Sequence, residues 1–179
     1  MTIEQVLTTL ATVLASIATP IIIAIVGFRI NKSLAQYRSQ LALNVKLIEK
    51  RIESYDAISS DLNDIFQFMT RVGLWKEISP QNLIKTKRSL DKLVYQNKPY
   101  WSPEFFTAYN SFIDECFEIK NGTGIDAKIK ADIEKYKALD DWAVKFNSMF
   151  TGTKADKAML RKKYNTLMTT VSNDVNPQI

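Results

Sequence analysis

A run of 24 residues without a charged side chain, Gln5–Phe28, constrains this chain more than any other feature. As a helix it would be roughly 36 Å long, whereas a bilayer core of about 30 Å needs only ~20 apolar residues. Buried helices of soluble proteins rarely run this far without a charge, and a cleavable signal peptide would begin with basic residues rather than with Glu4. The sequence therefore predicts an uncleaved transmembrane helix over residues 5–28 after a short extracytoplasmic N-terminus, residues 1–4.

The charges that follow this run predict its orientation. Residues 29–51 hold 6 Lys or Arg and one acid, whereas residues 52–179 are nearly balanced, with 18 basic and 17 acidic side chains. Cytoplasmic flanks of membrane spans are rich in Lys and Arg, so the C-terminal part is predicted to be cytoplasmic, at the bacterial inner (cell) membrane. Because this excess of positive charge lies beside the predicted span, it favours contact with anionic lipid headgroups over binding of nucleic acid. Three residues are the candidate headgroup contacts: Arg29, Lys32 and Arg38.

Small residues in the span and apolar spacing after it predict a homo-oligomer. One face of the span carries a small polar residue every four positions, and such faces let two membrane helices approach closely. These are Thr8, Thr12 and Ser16. From residue 29 to Gly73 there is no Pro or Gly, and apolar residues recur at helical spacing, which predicts one long helix. Residues 29–54 are predicted to be a juxtamembrane stalk that either pairs as a coiled coil or packs on downstream helices. Its seam is Leu34, Leu41 and Ile48.

The rest of the chain predicts a cytoplasmic helical bundle, residues 55–171, and a tail, residues 172–179. The Ser-Pro pairs at 79–80 and 102–103 each supply an N-cap followed by Pro at the first helical position. They open helices that are predicted to end at about Gln96 and about Lys120.

A fourth bundle helix is predicted over about Asp126–Phe150, because its apolar residues keep helical spacing. A last helix is predicted to open with a capping box formed by Thr153 and Asp156 and to end at about Val171. No strand is predicted. The predicted fold class is all-α: one transmembrane helix that continues into a helical stalk, and then a cytoplasmic bundle.

The chain contains no histidine, which excludes His-based catalysis, His-ligated haem and most zinc sites. It also has no Gly-rich phosphate loop and no nucleophile motif, and its single Cys116 is predicted to be an unactivated thiol on an apolar helix face. We therefore predict no enzymatic activity, no catalytic, cofactor-binding or metal-binding residue, and no cofactor.

Aromatic residues are concentrated between residues 95 and 117. Phe105, Tyr109 and Phe112 fall on one helical face, so a core role is favoured over an aromatic ligand pocket. Aromatic residues in the preceding turn are not explained by helical periodicity. The predicted surface for a cytoplasmic protein partner is therefore Lys98, Tyr100 and Trp101.

Two segments, "KRIESYDAISSDLNDIF" and "KPYWSPEFFTAYNSFIDECFE", resemble uncharacterised bacterial proteins with one N-terminal span and a cytoplasmic helical domain. The resemblance covers about residues 30–150 and is one of layout, without a functional motif. It implies a small membrane protein of a bacterial defence or stress system. Two functions are predicted: a membrane-anchored interaction and oligomerisation module, or alternatively a membrane-perturbing effector.

Overall fold

The computed structural model describes residues 2–119, 126–137 and 142–176, and it is mostly helical. The chain divides into two units, Met1–Lys46 and Leu47–Ile179. The all-α prediction is confirmed in this coarse form, with a long N-terminal helix followed by shorter ones.

The first helix, α1, covers Ile3–Thr70 and supplies all of the described first unit except Thr2. The predicted long helix is confirmed, and so is its end. The helix stops where Arg71 adopts a left-handed conformation (φ 59°) and the Val72 N–H donates to the Gln67 carbonyl at 3.2 Å. This is the hydrogen-bond pattern by which helices close their last turn, followed here by a second left-handed residue, Gly73 (φ 62°).

Both Ser-Pro pairs open helices as predicted. Helix α2 covers Pro80–Gln96, and helix α3 covers Pro103–Cys116. The Ser79 hydroxyl accepts from the Asn82 N–H and the Ser102 hydroxyl from the Phe105 N–H, both at 3.2 Å. Helix α3 ends earlier than the predicted Lys120, because the chain becomes extended at β1, Phe117–Glu118.

The predicted helix over Asp126–Phe150 is wrong. The described residues there form strand β2, Lys128–Ile129, which pairs antiparallel with β1, and two 3₁₀ helices, Ile133–Lys135 and Val144–Met149. Residues 138–141, including the predicted core residue Leu139, lie outside the described residues. The expectation of no strand is also wrong, although each strand has only two residues.

The last helix, α4, covers Lys157–Val175, so both of its predicted ends need correction. Asp156, not Thr153, is the N-cap, since its carboxylate accepts from the Ala158 N–H at 2.8 Å. The predicted tail from residue 172 is helical as far as Val175. Its Asp174 is buried, and its carboxylate accepts a hydrogen bond from the Ser102 N–H at 2.9 Å, which compensates for the loss of water.

The core of the second unit lies between the C-terminal part of α1 and helices α2, α3 and α4, and it includes the aromatic face of α3. Phe105, Tyr109 and Phe112 have no exposed surface, so the predicted core role of this face is confirmed. The Phe112 and Tyr164 rings join α3 to α4 with centroids 5.4 Å apart. A Lys163–Glu115 ion pair at 2.8 Å joins the same two helices near the surface.

Candidate functional site

The apolar segment of α1 is the feature of the first unit that stands out physically. Apart from Gly27, every residue from Ile3 to Phe28 whose burial the structure describes is exposed in the monomer, and thirteen of them are large and apolar. Among the described residues, α1 is the one helix long and apolar enough to cross a membrane. Exposure of this much apolar surface marks a segment that functions in contact with lipid or with another protein.

The polar side chains of this segment are satisfied by their own helix. The Thr8 hydroxyl donates to the Glu4 carbonyl at 2.8 Å, the Thr12 hydroxyl to the Thr8 carbonyl at 2.7 Å, and the Ser16 hydroxyl to the Val13 carbonyl at 2.7 Å. A hydroxyl paired in this way can leave water without losing a hydrogen bond. These residues therefore present small, hydrogen-bonded surfaces, as the predicted close-approach face requires.

The residues predicted to contact headgroups and to form the stalk seam are largely exposed. Arg29, Lys32 and Arg38 are all solvent-accessible on α1. Leu34 and Leu41 are 42% and 45% exposed, so within the first unit the seam has an uncovered apolar surface. The third seam residue differs, because Ile48 belongs to the second unit and is already partly buried in the monomer.

The predicted partner surface needs correction at Trp101. This side chain is buried, and its indole N–H donates to the Ser54 hydroxyl at 3.0 Å, which fixes the turn before α3 to α1. Its ring also stacks on Phe105, with centroids 4.2 Å apart. Lys98 remains exposed and Tyr100 partly exposed, so the surface available to a partner at this turn is smaller than predicted.

Arg51 has a structural role that was not predicted from the sequence. The guanidinium donates from Nε to the Tyr100 carbonyl at 2.6 Å and from Nη1 to the Asp174 carbonyl at 2.5 Å. It thereby joins α1, the turn before α3 and the end of α4. Because this cation is committed within the fold, it does not belong to the charges that could meet lipid headgroups. The feature of the sequence that points to this role is the position of Arg51 just before the first buried residues of α1.

Burial disfavours ionisation of the Cys116 thiol and the Tyr109 hydroxyl. Burial raises the pKa of the Cys116 thiol well above its usual value, which disfavours the thiolate needed for nucleophilic attack. Burial and the hydrogen bond to Asp91 raise the pKa of the Tyr109 hydroxyl. Asp91 is in turn paired with Lys87 at 2.7 Å. Within the residues that the structure describes, no group of three or more Cys, Asp or Glu side chains is placed to hold a metal ion.

No protein-family model, curated protein or solved structure matches this chain significantly. The resemblance to single-span bacterial proteins therefore stays a prediction, with no functional residue attached to it.

Proposed function

We propose that this protein is a membrane-anchored helical interaction module, in which residues 5–28 span a bacterial inner membrane and the C-terminal unit is a cytoplasmic helical bundle. The exposed apolar segment of α1 carries the proposal. On the scale of membrane insertion a Leu, Ile, Phe or Val side chain at the helix centre favours the bilayer by about 0.3–0.6 kcal/mol, so thirteen of them favour it by roughly 4–8 kcal/mol. A bilayer core supplies this burial along the whole segment.

The orientation rests on the basic residues that follow the span. Arg51 is left out of this count because its guanidinium is hydrogen-bonded within the second unit. The remaining residues, 29–50, hold five Lys or Arg and one acid, and residues 1–4 hold one acid, Glu4. This asymmetry favours a cytoplasmic C-terminal unit. Anionic headgroups of the inner leaflet would add attraction for Arg29, Lys32 and Arg38.

Self-association is proposed to use both parts of the first unit. The small-residue face at Thr8, Thr12 and Ser16 would bring two spans together, and the uncovered Leu34 and Leu41 would pair beyond the membrane. Because both surfaces lie on α1, forming one contact makes the second effectively intramolecular. Two weak contacts can then hold an oligomer that neither would hold alone.

This assembly predicts a graded loss of crosslinking. Thr12→Leu with Ser16→Leu should fill the close-approach surface, and Leu34→Lys with Leu41→Lys should place charge on the uncovered part of the seam. We expect each pair to reduce photo-crosslinking from a probe at Ala42 in native membranes, and the four together to abolish it.

The matched control is Gln36→Lys with Leu43→Lys, which adds the same charge on the opposite face of the helix and should leave crosslinking intact. If the quadruple variant crosslinks like the parent, the association runs through another surface and the proposal for α1 fails.

The membrane-perturbing alternative would need polar groups of the span to face water. Since the hydroxyls of Thr8, Thr12 and Ser16 bond to carbonyls of their own helix, they favour anchoring instead. Rapid depolarisation on induced expression, followed with a membrane-potential dye, would support the effector over the anchor.

A further inference from the structure

The second unit contains a concentration of positive charge that the sequence does not reveal. A cavity of about 160 Å³ opens between the end of α1, the segment after β2 and the start of α4. Five basic side chains line it: Arg71, Lys130, Lys135, Lys154 and Lys157. Asp132 is the one acidic side chain among the described residues of its wall.

The charges of this cavity are poorly compensated. Its lining carries a net charge of +4, whereas residues 52–179 as a whole carry 18 basic and 17 acidic side chains, or +1. Lys135 and Lys154 share Asp132, at 3.7 and 3.1 Å. Lys157 donates to the carbonyl of Thr70, which is neutral and leaves the positive charge in place.

Lys157 also has more cations than anions around it. Burial lowers the pKa of its ammonium group, and the neighbouring cations Arg71, Lys135 and Arg161 lower it further. Arg71 is held beside it in the left-handed conformation that ends α1 (φ 59°), a position where Gly would be less strained. Arg71 and Lys157 therefore lie close enough at the cavity wall for their charges to repel each other.

We propose that this cavity binds a small phosphate-bearing anion of one or two phosphoryl groups. A cavity of about 150 Å³ holds a benzene-sized molecule, so this one has room for phosphate or pyrophosphate. Lysines supply point charges for phosphoryl oxygens, and the guanidinium of Arg71 can donate two parallel hydrogen bonds. A charge of +4 also matches a highly charged oligophosphate better than a carboxylate.

The test is calorimetric titration of the full chain, in neutral detergent micelles at low ionic strength, with inorganic phosphate and with pyrophosphate. We expect saturable binding that is stronger for pyrophosphate and that weakens as salt is added. Lys135→Gln with Lys154→Gln should weaken pyrophosphate binding by roughly tenfold or more, because two charge-assisted hydrogen bonds are lost.

Two further variants separate binding from damage to the fold. Lys92→Gln with Lys162→Gln removes the same charge from exposed positions outside the cavity and should leave the affinity unchanged. Asp132→Asn should strengthen binding several-fold, since it removes the acid that competes for Lys135 and Lys154. A variant that merely damaged the fold would change the affinity in the opposite direction.

Lipid phosphate has the same chemistry, so its contribution is measured separately. Phosphatidic acid added to the micelles should compete with pyrophosphate only if the cavity also accepts a lipid headgroup. Absence of binding at millimolar pyrophosphate would overturn the proposal. Equal weakening in the Lys92/Lys162 control, or weaker binding by Asp132→Asn, would also overturn it.

Discussion

Replacement of Leu14 and Ile17 by lysine should release the full chain from the membrane fraction. Both residues lie near the middle of the proposed span, and their side chains are exposed on α1. A lysine at the centre of a membrane helix costs about 2.5–3.5 kcal/mol of apparent insertion free energy, so the pair costs roughly 6 kcal/mol. Fractionation with an alkaline carbonate wash measures the result.

Gln36→Lys with Gln40→Lys is the matched control, because it adds two lysines to the same helix outside the span. This control should remain in the membrane pellet. Retention of the Leu14/Ile17 variant in washed membranes would mean that the segment does not insert as a helix, and the anchoring function would then lose its main support.

Phe112→Ala should destabilise the second unit by about 3–5 kcal/mol, a large part of the 5–15 kcal/mol typical of a whole domain. Phe112 has no exposed surface, and its ring contacts Tyr164 across the α3–α4 contact. Removal of the ring leaves a cavity between two helices that are also tied by the Lys163–Glu115 pair. Urea unfolding of residues 47–179, followed by circular dichroism, measures the change.

Phe106→Ala supplies the comparison, since Phe106 is on the same helix but only partly buried. Phe106→Ala should lower the free energy of unfolding clearly less than Phe112→Ala does. A stable Phe112→Ala variant would contradict the core packing. A substantial β signal in the parent fragment would contradict the helical fold.

Local chemistry made much of the fold predictable. The end of α1 follows from the first glycine after a long uninterrupted helical pattern, and α2 and α3 begin where a serine side chain can cap a helix opened by proline. The core face of α3 follows from aromatic residues at helical spacing. In each case the deciding interaction lies within a few residues along the chain.

The segment 126–150 was not predictable in this way, because distant backbone groups compete for its hydrogen bonds. The Lys130 N–H donates to the Cys116 carbonyl at 2.9 Å, and the Lys130 carbonyl accepts from the Ala155 N–H at 2.9 Å. Ile129 and Tyr136 still enter the core, so helical spacing of apolar residues persists without an α-helix. Tertiary pairing overrides helical propensity here.

The candidate functional sites also differ in whether they depend on neighbouring residues or on contacts between distant parts of the chain. The apolar segment of α1 and the basic residues that follow it can be read directly along the sequence. The burial of Trp101, by contrast, depends on Ser54. The basic cavity joins residues 71, 130, 135, 154 and 157, whose sequence neighbours include enough acids to hide the cluster in any linear count of charge.

The topology of a C-terminal reporter fusion tests the central claim most directly. A fluorescent reporter that folds only in the cytoplasm and an alkaline phosphatase that is active only outside it are each fused after residue 179 of the full chain. We predict membrane-bound fluorescence and no phosphatase activity, with the preference weakened when several lysines are added before Ile3. Phosphatase activity without fluorescence would place the C-terminal unit outside the cytoplasm, and a fluorescent but soluble fusion would show that the chain is not anchored.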